Sequence, residues 1–97
     1  MLSNYYHTSS VEVGEIVIIE DPGTNRGIRP GSKEIQARIA ALGGPGGLVE
    51  VIRIVNSCYL ELARVDSQGF PKGPLHKVDV LRIRKLSPLE QLALQAE

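Results

Sequence analysis

The chain predicts an all-β fold, a small five-stranded barrel followed by a short C-terminal helix. Three observations carry that prediction. Runs rich in Val, Ile and Leu recur along the chain, and such residues suit the pleated, half-buried environment of a strand. Stretches dense in Gly and Pro separate those runs, where a strand must turn or stop. Near the end, Ser87-Pro88-Leu89-Glu90 changes the pattern to that of a helix start. At 97 residues the chain makes one domain, large enough to bury a core without a metal or disulfide framework.

Residues 1–10 are polar with two tyrosines and read as a tail. Val11 to Glu20 is the first strand, with Val17 and Ile19 on one face and Ile16 and Ile18 on the other. Gly14 interrupts its alternation and predicts a bulge or bend. Asp21-Pro22-Gly23 ends the strand, and residues 21–33 form a long loop whose length favours a contact role. Residues 34–42 (EIQARIAAL) admit two readings. Ile35, Ile39 and Leu42 have helical spacing after a Ser32 cap, whereas Ile35, Ala37, Ile39 and Ala41 share a face as a strand. The strand is preferred because it completes a barrel and pairs with Gly47–Val55 through the glycine-rich turn GGPGG; a helix ending at Gly43 is the alternative.

The stretch from Gly47 to Val65 organises the rest. Two apolar runs flank Asn56-Ser57, which predicts a hairpin with Asn56 in the left-handed conformation of its turn. Cys58, Leu60 and Leu62 share one face of the second arm, so Leu60, Leu62 and Cys58 are expected inside. The first arm is apolar on both faces, as a central or bent strand would be. Residues 66–77 hold two glycines and two prolines and read as an irregular connection, with Phe70 folded back over the barrel end. Val78 to Leu86 closes the sheet, with Leu81 and Ile83 inward and Arg82 and Arg84 outward. The final helix, 87–97, presents Leu89, Leu92, Ala93 and Ala96 as its docking stripe and leaves Leu94 outside it.

Strand order, a long first loop and a late closing strand over residues 11–86 resemble the SH3-like small-barrel superfold. Within that span, Gly44-Pro45-Gly46-Gly47-Leu48-Val49-Glu50-Val51-Ile52 resembles the G-x-x-G-x-V-x-x-I core of KOW segments in ribosomal and transcription-elongation proteins. That resemblance implies basic residues around the turn that meet RNA, and here GGPGG carries none and Glu50 follows. The superfold hosts many unrelated functions and does not decide among them.

Eleven basic and eleven acidic residues cancel, which argues against a dedicated nucleic-acid binder. Solvated strand faces account for most of these charges. Catalysis finds little support, since His7 lies in the polar tail, His76 in a basic loop and Cys58 between strands. No cofactor or metal is expected, because none of these residues has ligand spacing. Without a signal-like start or a long apolar run, the expected setting is the cytoplasm or a viral particle, with no membrane. The function expected is a non-catalytic interaction or assembly module, a small accessory subunit that binds a protein partner or itself. A KOW-like module contacting RNA or DNA through the 26–38 region and the closing strand is the alternative. Candidate partner-binding residues are Arg26, Arg29, Lys33, Arg82, Arg84, Leu92 and Leu94.

Overall fold

Alternation of buried and exposed residues along the apolar runs sets the architecture. The computed structural model describes residues 7–20 and 32–95. Within them lie β1 (Ile16–Ile19), α1 (Lys33–Ala41), β2 (Leu48–Ile54), β3 (Tyr59–Val65), β4 (Pro71–Asp79), β5 (Ile83–Lys85) and α2 (Pro88–Gln95). Thr8–Ser10 and Val80–Arg82 each make a 3-10 turn. The strands form one open antiparallel sheet of five in the order β4-β3-β2-β1-β5. Its two edges, β4 and β5, are joined only through residues 80–82. Four peptide steps reach at most about 14 Å, whereas the outer strands of a flat five-stranded sheet lie about 19 Å apart. The sheet is therefore curled, though not closed.

The hairpin predicted around Asn56 is β2–β3, and Leu60 and Leu62 are fully buried in the core. Its turn works differently from the expectation. No residue other than glycine has positive φ among those described. Instead the Asn56 Oδ1 accepts hydrogen bonds from the Cys58 and Tyr59 amides at 2.9 Å each, while Val55 and Asn56 both donate to the Tyr59 carbonyl. This wider turn carries Cys58 out of the strand, and its thiol is exposed rather than buried. The mixed parity of the first arm has a simple origin. Val51 pairs with Leu62 but Arg53 with Glu61, so the ladder slips at Ile52. The bulge puts Val49, Val51 and Ile54 opposite Arg64, Leu62 and Leu60 on one face, despite their uneven spacing.

Residues 33–41 are a helix, which corrects the strand preference for 34–42. Ser32 Oγ accepts from the Ile35 amide at 3.2 Å, and Glu34 pairs with Arg38 one turn on. At the other end Gly43 donates to Ala40 O and Gly44 to Ile39 O, with Gly43 at φ 108°. That is a complete glycine-terminated C-cap. The helix buries Ile39 and Leu42 and packs Ile35 against the core, leaving Ala37 and Ala41 exposed, where a strand would have buried alanines. Thus α1 and the concave sheet face enclose one core that also contains Val11, Val17, Val78, Val80 and Ile83.

The fifth strand comes from elsewhere. Residues 71–77, expected within an irregular connection, join Val78 and Asp79 as edge strand β4. An edge tolerates Pro71 and Pro74, and the register shift opposite Leu62–Arg64, where Gly73 has φ 88°, absorbs the extra residues. His76 accordingly lies in a strand, opposite Leu62. The closing segment 78–86 is divided among the end of β4, the 3-10 turn and β5. Phe70 is exposed and does not fold over the sheet. At the start, Gly14 makes the expected bend, at φ 92° and with its amide donating to Val51 O at 2.7 Å. Thr8 is buried against the hairpin turn, its amide donating to Ser57 O and its Oγ1 to Asn56 O.

Candidate functional site

The second, convex-side face of β1 is also apolar, and it forms the floor of an open groove. Ile16 and Ile18 point away from Val17 and Ile19, and Ile18 pairs with Leu48 of β2. With Val65 and Leu86 they line a groove of about 660 Å³. One wall is the β3–β4 turn, residues 66–69, and the other is α2 through Glu90, Ala93 and Leu94.

Local chemistry builds each wall. Asp66 Oδ1 accepts from the Gln68 amide at 2.9 Å and from the Phe70 amide at 3.0 Å. Its carbonyl accepts from Gly69, which sits at φ 86°. The Phe70 amide above all, and then the Gln68 amide, the Lys72 charge and the Gly69 amide, hold the Asp66 carboxyl below its ordinary range against the opposing effect of burial. In α2, Ser87 Oγ accepts from the Glu90 amide at 3.2 Å and Glu90 Oε1 accepts from the Ser87 amide at 2.8 Å. This is the reciprocal cap that the sequence predicts. Arg84 of β5 then grips the same carboxylate through two bonds of 2.9 and 3.0 Å. Arg84, followed by the Ser87 amide, lowers the Glu90 pKa to about 2, and Glu90 in turn raises that of Arg84.

That anchor decides which side of α2 meets the sheet. Glu90, Ala93 and Leu94 share the side drawn toward Arg84, so Leu94 is half-buried and lines the groove. Leu89 and Leu92 are 78% and 62% exposed. Of the expected docking stripe of Leu89, Leu92, Ala93 and Ala96, Ala93 lines the groove, Ala96 lies outside the described residues, and the two leucines exchange places with Leu94, because a bidentate ion pair and a cap outweigh two leucines in orienting so short a helix.

The remaining predicted partner residues do not converge. Arg26 and Arg29 lie outside the described residues. Lys33 is exposed at the first position of α1. Arg82, expected outward, is buried at 6% exposure with its Nε 3.7 Å from Asp79 Oδ2, because the 3-10 turn rotates it off the strand alternation. Arg84 is engaged by Glu90. A smaller cleft of about 500 Å³ lies beside α1, lined by Arg64, Lys72 and the residues next to them, and those two cations are directly opposite each other on β3 and β4. Sequence reasoning missed both Asp66 and this pair. The signal for Asp66 was Asp66-Ser67-Gln68-Gly69, an Asp-initiated turn with glycine at its end. The pair had no local signal, since a register of strand partners creates it.

Some strand charges are solvated, as expected: exposed Arg53 bonds Glu61 at 2.6 Å, and Lys77, opposite Glu61, lies 5.5 Å from the Tyr59 ring centroid. Among the described residues no group of three His, Cys, Asp or Glu side chains is placed to hold a metal, and no helix is long and apolar enough to cross a membrane. No protein-family model, curated protein or solved structure matches the chain.

Proposed function

We propose that this chain is a non-catalytic interaction module, a small accessory subunit that assembles with protein in the cytoplasm or in a viral particle. One observation carries the reading. A capped and salt-bridged helix stands beside an open apolar groove and turns Leu89 and Leu92 to solvent. A helix of eight residues has little stability of its own, so apolar side chains left outside it favour a partner that covers them. The sheet order, the curl imposed by residues 80–82 and the 3-10 turn between the edge strands support placing the fold with opened SH3-like small barrels.

A nucleic-acid contact is the second reading. The exposed pair Arg64 and Lys72 favours it, while the burial of Arg82 and the engagement of Arg84 weigh against a basic closing strand.

The test is removal of residues 87–97, followed by light-scattering mass and thermal melting. The truncated chain is expected to fold, because the core cluster contains no residue beyond Ile83, and to lose association with itself or a partner. Unchanged association would refute the placement of the contact surface on α2. Co-purified nucleic acid that is released by salt would favour the second reading.

A further inference from the structure

We propose that the groove between β1–β2 and α2 receives an apolar segment of a partner protein that carries a lysine or arginine seated at Asp66. This rests on the interaction-module reading and names the partner's chemistry. The groove is within the size range of ligand-binding clefts, and its floor, Ile16, Ile18, Leu48, Val65 and Leu86, offers no polar side chain. Only apolar groups can cover it without leaving hydrogen bonds unmade.

The rim supplies the charge selection. Among the described residues its ionisable side chains are Asp66 and Glu90, both carboxylates, and no cation lines the groove. Glu90 is neutralised by Arg84, which does not line the groove. Asp66 is the other carboxylate: its two backbone bonds fall on Oδ1, and Lys72 of the neighbouring cleft acts on it through its charge without lining the groove. Those bonds also hold its carboxyl below the ordinary range. An anionic segment would meet the Asp66 carboxylate at this rim, whereas a cationic one finds a fixed acceptor next to an apolar floor. The exposed Leu89 and Leu92 add apolar surface on the outer side of α2, beyond the groove. A surface larger than the cavity suits a peptide segment better than a small amine.

The experiment titrates the isotope-labelled full chain with a synthetic peptide of alternating Leu and Lys and with a matched Leu and Glu peptide. The Leu/Lys peptide is expected to shift the amides of Leu48, Gln68, Gly69 and Leu94, and the Leu/Glu peptide to leave them in place. Asp66→Asn keeps the Oδ1 acceptor of the turn and removes the charge, so it should weaken the Leu/Lys peptide roughly threefold to fivefold without changing the fold. Ala93→Lys, at an exposed position, puts a cation inside the groove and should abolish the shifts while the melting temperature holds. Equal binding of both peptides, indifference to Asp66→Asn, or shifts confined to another face would overturn the proposal. If truncation of α2 abolishes association but neither peptide enters the groove, the interaction-module reading stands and this proposal falls. Self-association that protects the groove amides would likewise overturn it, by making a second copy the occupant.

Discussion

Leu60→Ala and Ile54→Ala form a matched test of where the core lies. The two residues face each other directly across β2 and β3, so both replacements lose a similar amount of strand preference, up to about 1 kcal/mol. They differ in burial. Leu60 is wholly inaccessible, within a cluster that includes Val51, Leu62 and Val78, while Ile54 is 36% exposed at the end of the hairpin. Truncating Leu60 therefore removes transfer free energy and leaves a cavity, at a cost of about 2–5 kcal/mol. A domain of this size has roughly 5–15 kcal/mol of stability in total. Each kcal/mol moves its melting temperature by about 4–8 °C, so Leu60→Ala should lower it by roughly 8–40 °C. Ile54→Ala opens no enclosed cavity and should cost about 1 kcal/mol or less beyond its strand preference. Melting followed by circular dichroism reads both variants, with denaturant unfolding to confirm that the slope is unchanged. Equal destabilisation by the two variants, or an unchanged melting temperature for Leu60→Ala, would refute the hairpin register and the core built on it.

Three further outcomes follow from single residues. A Cβ on Gly47 would lie 2.9 Å from Leu42 O and 3.0 Å from Gly44 O, so Gly47→Ala should lower the melting temperature, whereas an unaffected variant would disprove the tight passage from α1 to β2. Glu90→Gln should destabilise the chain near neutral pH. Because the Glu90 pKa falls from 4.5 to about 2 in the folded state, its contribution is complete above about pH 4.5 and disappears as the pH falls through 2. The melting curves of wild type and variant should converge in that window, and a constant gap down to pH 2 would contradict the Arg84 contact. Cys58, at the exposed hairpin turn, should react with a thiol reagent in the folded protein as fast as in denaturant; strong native protection would mean that it is buried, as strand alternation alone suggests.

What the sequence determined by itself were the features whose partners lie a few residues away. Ser87 and Glu90 cap one another across three positions, Gly14 bends the chain where it stands, and the apolar runs around Asn56 turn back on each other. Leu60 and Leu62 were legible as core because alternation holds inside an unbroken strand. The groove was half legible, in that β1 is apolar on both faces and both need cover.

Tertiary structure decided the rest. Residues 34–42 admit helix and strand, with the strand preferred on sequence, and the choice fell to the helix because its spacing delivers Ile39 and Leu42 to the core where a strand would deliver alanines. Pro71 to Asp79 could serve as a strand only because it lies at the sheet edge, where missing amides and an irregular register are tolerated. Arg82 turned inward because a 3-10 turn breaks the alternation that had placed it outward. On α2, Arg84 of a different element chose the side that faces the sheet, moving Leu94 in and Leu89 and Leu92 out. Hydrogen bonds between near neighbours are written in the order of residues. Which face is buried depends on what stands opposite, and that partner is set by the packing of segments distant in the chain.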